Sequence, residues 1–331
     1  MLTTASRLLA RAVPDGLPGV RTIVRGGLGR LFGPPGHDAP SHPGDPGLFG
    51  PGSASWRVLG EPAAIVGGVR ALLVQLLHPH AMAGVADHSA FREDPLGRLR
   101  RTSAYVTTTA FGATPEALAV AERVRHAHHV VRGTAPDGMP YDAADPHLLR
   151  WVSVALTDGF LAADRAYAPE PVDRETADAF VAEQALAAAL LDPRVDLGAL
   201  PRDPGALRRE ATGLPLLAEG ALPTDVTGLE ACLAAYAPEL AVHDQGREAL
   251  RFLLWPPIPA AVRVAYLPML GGALATLEPA HRRLLGLPAA EAATWPAALQ
   301  AQALLTGLRV TTGTSPARQE AQRRAALAPH G

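Results

Sequence analysis

Residues 61–77 read EPAAIVGGVRALLVQLL and decide the fold class. After Glu61 only Arg70 and Gln75 interrupt a run that is apolar on nearly every side of a helix, which is typical of a helix buried at the centre of a domain. His78-Pro79 follows at a point where a helix is expected to end. The run is shorter than the ~20 apolar residues that cross a membrane. We therefore predict a central buried helix and no transmembrane segment.

Outward from this run, the chain after Ser55 consists of helical patterns separated by proline and glycine, without sustained alternation of apolar and polar residues. Three predicted helices start with a capping residue followed by proline: Asp94-Pro95, Thr114-Pro115 and Asp145-Pro146. Further helices are predicted at residues 173–191, 228–237, 244–254, 260–277, 279–285 and 296–308. The predicted fold is all-α: residues 55–331 form a single large helical domain that encloses a cofactor pocket.

The first 54 residues are predicted to be separate from this domain. Residues 1–32 carry five arginines against one acidic residue, a pattern compatible with contact to an anionic membrane surface. A surface helix followed by a tail is the simpler interpretation. Residues 33–52 contain twelve glycines and prolines in twenty positions, so neither helix nor sheet can persist there. We predict a basic segment and a flexible arm, with His37 and His42 exposed.

Composition limits the possible functions. With 331 residues, 48% of them hydrophobic, and a net charge of -2, the chain is typical of soluble globular proteins and is long enough to bury a cofactor. All 30 basic residues are arginine, which excludes mechanisms that require lysine, and the charge balance argues against a nucleic-acid partner. The single cysteine, Cys232, lies in an apolar helical stretch and is expected to be an inert thiol in a reducing, cytoplasmic environment.

The helix predicted at residues 115–132 carries the first candidate site. Its apolar positions recur at three- and four-residue intervals, and His128 falls on the same stripe, whereas His126 and His129 point elsewhere. A single inward histidine is more often a core residue whose ring nitrogens are hydrogen-bonded than a ligand. A neutral imidazole on a rigid helix could nevertheless serve as the single axial ligand of a haem iron.

The preceding helix carries the second candidate site. Arg98, Arg101, Thr102 and Tyr105 recur at i, i+3, i+4 and i+7, so two cations, a hydroxyl and a phenol share one face. The pattern alone favours a solvated surface. The functional interpretation is a polar lining for an anion or a bound oxygen species, because arginine donates charge-assisted hydrogen bonds.

A third group of candidate ligands lies upstream. His78, His80 and His88, with an aspartate such as Asp87, could hold the metal of a non-haem enzyme, although helix capping explains His78 equally well. No Gly-x-Ser-x-Gly elbow occurs, and no Gly-x-Gly-x-x-Gly motif follows a predicted strand. Serine hydrolases and dinucleotide-dependent enzymes are therefore disfavoured.

The motifs occur in a characteristic order along the chain. They comprise residues 71–79, residues 83–89, Asp94-Pro95, Arg98, Arg101-Thr102, Phe111-Gly112, Val124-Arg125, His128, Gly133, Tyr141, Asp145-Pro146 and Trp151. Their sequence and spacing resemble the family of MpaB-type oxygenases and latex-clearing proteins (rubber oxygenases). The resemblance is strong over residues 55–200 and continues more faintly through residues 281–288.

The resemblance implies an all-α protein that binds a b-type haem through one histidine, and it maps that ligand onto His128. It maps the distal polar residues onto Arg98, Arg101 and Thr102. The rubber-cleaving branch has a lysine at the middle position, but Arg101 stays protonated and cannot donate a lone pair to iron. We therefore expect a five-coordinate or water-bound resting iron. A second departure is Ser153, where the family pattern has a histidine.

We accordingly expect a haem-b-dependent oxygenase, an oxidoreductase that uses dioxygen as co-substrate on an apolar, isoprenoid-like small molecule. His128 is the expected metal ligand, with dioxygen held between it and the three distal side chains. Arg125 and Arg132 are candidate partners of the haem propionates. Two alternatives stay open: the non-haem metal enzyme, and a haem-binding protein without catalytic activity.

Overall fold

The computed structural model describes residues 41–89, 92–288 and 295–327, together with Gly26. This part of the chain is almost entirely helical, and its sheet has two short strands. The predicted all-α fold is confirmed. Among the helices described, none combines the length and the apolar character needed to cross a bilayer. The predicted basic segment and the arm up to residue 40 lie outside the described residues, apart from Gly26.

The first half of the chain builds the candidate site. Its elements are α1 (Ala54–Leu59), α2 (Ala63–Gln75), α3 (Pro79–His88), α4 (Pro95–Phe111), α5 (Thr114–His129), β1 (Arg132–Thr134), β2 (Pro140–Asp142) and α6 (Pro146–Tyr167). Asp94 and Asp145 cap α4 and α6 by accepting hydrogen bonds from backbone N–H groups of the first turn, as predicted.

The second half encloses the central helices. Its helices are α7 (Arg174–Ala189), α8 (Pro204–Glu210), α9 (Pro215–Ala218), α10 (Val226–Tyr236), α11 (Asp244–Leu254), α12 (Ala260–Ala275), α13 (Pro279–Leu284), α14 (Trp295–Thr312) and α15 (Pro316–Ala326). Short 3₁₀ turns follow α8 at Ala211–Gly213 and α10 at Ala237–Glu239.

The predicted central helix is α2, which packs most extensively against α6. The two helices cross at Gly67 and Gly159, where the backbones nearly touch. A Cβ atom added to Gly67 would lie 2.8 Å from Phe160 Cα and 2.9 Å from the Gly159 carbonyl oxygen. The close crossing therefore depends on the absence of a side chain at these positions.

Two neighbouring glycines of α2 give a matched test of this crossing. We expect Gly67→Ala to lower the free energy of unfolding by about 1–3 kcal/mol, because the added methyl group forces the packed backbones apart. At Gly68 an added Cβ would meet only Phe160 Cε1, at 3.9 Å. Gly68→Ala should therefore leave the stability unchanged or raise it by about 0.5–1 kcal/mol. Denaturant unfolding checks both values, and equal effects of the two substitutions would contradict the close crossing.

Buried arginines connect α2 and the last helices to the rest of the domain. Arg70 in α2 is 1% exposed, pairs with Asp158 of α6, and donates from Nε to the Thr276 carbonyl at 3.2 Å. Arg309 of α14 pairs with Glu61 at the start of α2. Because a buried charge must be paired, these contacts hold α2 against α6 and the last helices.

The end of α5 differs from the prediction. The sequence predicts a helix over residues 115–132, but the helix ends at His129, and Arg132 begins β1. The two strands pair antiparallel, with Gly133 opposite Tyr141. A Cβ on Gly133 would lie 2.7 Å from the Tyr141 hydroxyl oxygen, which in turn donates to Asp87 Oδ2 at 2.6 Å. This long-range contact with α3 holds the chain in the strand conformation.

Residues 42–52, predicted as part of the arm, contain no regular helix or strand, as expected. They nevertheless lie against the helical domain: Leu48 is fully buried and His42 is half-buried rather than exposed. Asp45 accepts hydrogen bonds from the Thr114 backbone N–H and hydroxyl, each at 3.1 Å. Ala113 therefore takes the N-cap position that was predicted for Thr114, and its N–H donates to Glu116 at 2.7 Å.

Candidate functional site

The hairpin formed by α4 and α5 carries most of the predicted site residues. The helices contact each other, and only Gly112 and Ala113 separate them. Arg98 lies in the first turn of α4 and His128 in the last turn of α5, so each is at the end of its helix that is remote from this turn.

His128 is half-buried, and its Nδ1 atom is buried without a hydrogen-bond partner in the described part of the chain. Burial lowers the pKa of His128, and the negative charge of Asp142 opposes this shift in part. The imidazole is therefore neutral at pH 7 and has a lone pair available for a ligand.

The other two histidines of α5 are exposed, as the helical periodicity predicts. Arg132 Nη2 donates a hydrogen bond to the His129 carbonyl oxygen at 2.6 Å. The same nitrogen lies 2.9 Å from His129 Nδ1. His128 is consequently the one histidine of the three that lies toward the interior of the domain.

Arg98 is half-buried, and its guanidinium has neither an acceptor nor a carboxylate partner among the described residues. Burial, with a smaller contribution from the charge of Arg101, lowers the pKa of Arg98 to about 10. The guanidinium is therefore still protonated at pH 7. An unpaired cation in this position is unfavourable unless an anion or a polarised oxygen occupies the space beside it.

Tyr105 lies two turns further along α4, and its hydroxyl donates to the Ala187 carbonyl at 3.2 Å. Burial raises the pKa of Tyr105. Tyr105, like Arg98, is half-buried.

The predicted distal residues are only partly brought together. Thr102 is half-buried beside Arg98, and its hydroxyl donates to the Arg98 carbonyl at 3.2 Å. The Arg101 side chain is 65% exposed, and its nearest carboxylate is that of Asp94, 3.9 Å away. The structure therefore places Arg98 and Thr102 on the covered side of α4 and Arg101 on the solvent side.

The two arginines predicted to meet propionates have other partners here. Arg125 donates to the carbonyls of Val195 and Pro193, at 2.7 and 2.9 Å. Arg132 is exposed and donates to His129. Their role toward a propionate stays a prediction.

The upstream histidines have different polar partners, although the ring centroids of His78 and His80 are only 5.7 Å apart. His80 pairs with Asp137 at 2.9 Å, and His88 Nε2 lies 3.2 Å from the Arg132 carbonyl. His78 instead lies beside His147 and Glu239, which sequence reasoning missed. No local pattern connects these three positions, because they meet only through the packing of α3, α6 and α10.

The chain belongs to the family described as ER-bound oxygenase mpaB/B'/Rubber oxygenase, catalytic domain, whose profile matches residues 56–314. The predicted family is confirmed, and the protein is an oxygenase by family. Oxygenases use dioxygen and generally require a metal or haem cofactor. No curated protein and no solved structure matches the chain.

Proposed function

We propose that the protein is a haem-b-dependent oxygenase of an apolar small molecule, with His128 as the protein ligand of the haem iron. A bound haem would supply the redox-active iron that dioxygen chemistry requires. The observation that carries the proposal is the neutral, inward-lying imidazole of His128, whose buried Nδ1 lacks a partner among the described residues. A single histidine on a rigid helix is a donor set that suits haem better than it suits a metal ion with several protein ligands.

The residues of α4 complete the proposed site. Arg98 would donate charge-assisted hydrogen bonds to negative charge that develops on oxygen, and the Thr102 hydroxyl would add a neutral hydrogen bond. The partial burial of Arg98 would strengthen this interaction, because less water competes there than at an exposed site. Arg101 lies on the solvent side, so its distal role stays a prediction.

An apolar substrate is supported by the family description, which includes rubber oxygenases. We propose an unsaturated, isoprenoid-like hydrocarbon as the substrate class.

The test of this function is haem content together with dioxygen consumption. The full-length protein, purified and then supplemented with hemin, should bind one haem per chain by pyridine haemochromogen assay. With squalene as an isoprenoid probe, it should consume dioxygen faster than hemin alone. Haem binding without dioxygen consumption from a panel of unsaturated hydrocarbons would instead identify the non-catalytic haem protein.

The non-haem alternative has less support than the haem proposal. It requires His78, His80 and His88 to converge on one metal, but His80 pairs with Asp137 and His88 lies beside the Arg132 carbonyl. Stoichiometric non-haem iron in an active preparation without porphyrin would favour it over the haem proposal.

A further inference from the structure

A cluster of two histidines and one glutamate lies apart from the hairpin. His78 caps the start of α3, His147 lies in the first turn of α6, and Glu239 lies in the 3₁₀ turn after α10. Glu239 Oε2 is 2.7 Å from His147 Nε2 and 3.4 Å from His78 Nε2. A hydrogen bond of 2.8 Å from the Ala241 N–H to the Leu77 carbonyl holds this turn beside the end of α2.

We propose that His78, His147 and Glu239 bind one divalent transition-metal cation of the zinc class. Two imidazole nitrogens and one carboxylate oxygen form the ligand set of many zinc sites that keep a fourth, open position. One ligand atom from each of the three residues lies within 4.8 Å of the others. In a tetrahedral site with bonds of about 2 Å, ligand atoms are about 3.3 Å apart. The 3.4 Å between His78 Nε2 and Glu239 Oε2 already matches this value. The 2.7 Å between His147 Nε2 and Glu239 Oε2 would lengthen slightly when the ion binds.

An unsatisfied buried atom gives independent support. His78 is 1% exposed, and its Nε2 atom, 3.4 Å from Glu239 Oε2, forms no well-aligned hydrogen bond in the described part of the chain. Burial lowers the pKa of His78, and the charge of Glu239 opposes this shift, so the imidazole is neutral at pH 7. Buried polar atoms without partners are rare in folded proteins. A cation between the three residues would satisfy this one.

The cluster is also accessible from solvent. The His147 and Glu239 side chains are 39% and 42% exposed, whereas the His78 side chain is 2% exposed. A hydrated cation could therefore reach the two exposed ligands first and then His78, and its open position would face water. The bound ion would connect the end of α2 with the start of α6 and with the turn after α10.

The existing hydrogen bonds limit the expected affinity. His78 Nδ1 accepts from the Ala81 N–H at 3.5 Å, and His147 Nδ1 lies 3.2 Å from Arg150 Nη2. Without a metal, these donors favour ring hydrogens on Nε2, directed toward Glu239. Metal binding moves the hydrogens to Nδ1 and breaks both contacts, although the 3.5 Å contact is already weak. Ligating histidines normally donate this hydrogen to an acceptor, so we expect micromolar affinity rather than that of a permanent structural zinc.

Calorimetric titration of the chelator-treated, full-length protein with Zn²⁺ tests the proposal. We expect one saturable site, whose affinity falls about 10-fold or more in Glu239→Gln and in His147→Ala. His80→Ala is the matched control, since this neighbouring histidine pairs with Asp137 instead, and it should bind Zn²⁺ as the unmodified protein does. Excess Zn²⁺ should also raise the thermal unfolding temperature of the unmodified protein but not of Glu239→Gln.

Absence of saturable Zn²⁺ binding would overturn the proposal, and so would unchanged affinity in Glu239→Gln. In either case the three residues form a carboxylate bridge between two imidazoles and hold no ion. The Glu239 side chain is exposed, so we expect Glu239→Gln to fold as the unmodified protein does. None of these measurements uses haem, and their outcome is therefore independent of the proposed oxygenase function.

Discussion

Replacing Arg98 by methionine is expected to stabilise the haem-free protein and at the same time to lower dioxygen consumption by ~10²–10³-fold. Methionine fills similar space but removes a cation without a partner among the described residues, whose pKa burial lowers to about 10. The free energy of unfolding should rise by about 1 kcal/mol, because functional groups are often kept at the expense of stability. Denaturant unfolding and an oxygen electrode measure the two effects.

Arg101→Met is the control for this prediction, because it makes the same chemical change on the solvent side of the same helix. The Arg101 side chain is 65% exposed and lies 3.9 Å from Asp94, so its loss should change stability by no more than about 0.5 kcal/mol. If Arg98→Met destabilises the protein, or if both variants consume dioxygen equally, Arg98 does not line the reaction site.

The second large effect is expected at His128. His128→Gly should weaken hemin binding by at least ~100-fold, because even the loss of a group that only supports a metal ligand typically costs 10–100-fold. The substitution removes the neutral imidazole whose Nδ1 is buried and unpartnered in the described chain. Titration followed at the Soret band gives the dissociation constant.

His126→Gly provides the matched control two residues away. Both substitutions place glycine in the last turns of α5 and carry a similar cost in helix stability of about 1 kcal/mol. His126 is exposed, so its loss should leave hemin affinity unchanged. An equal loss of affinity in both variants would show that the helix, and not the imidazole, is responsible.

Much of the fold was predictable because its signals are local. The apolar run of α2 and the capping aspartates of α4 and α6 each depend on a few consecutive residues, and all three helices form as predicted. Short helices were missed: α1, α3, α8, α9 and α15. The strand that replaces the end of α5 was also missed, because it depends on contacts of Tyr141 with Gly133 and Asp87 that lie far apart in sequence.

The residues of the candidate site were likewise predictable only where their signal is local. The position of His128 followed from the periodicity of one helix, and its neutral state follows from burial that the periodicity implies. Periodicity also grouped Arg98 with Arg101, but it could not show that α4 covers one of them and exposes the other. The grouping of His78 with His147 and Glu239 depends on tertiary packing alone.

The central claim is that the imidazole of His128 binds the haem iron, and chemical rescue tests it most directly. Hemin is added to His128→Gly, and the absorption spectrum is recorded before and after addition of free imidazole. We expect a weak, unspecific Soret band that imidazole converts to the spectrum of the unmodified holoprotein. A His128→Gly spectrum already identical to that of the unmodified protein, without imidazole, would contradict the account.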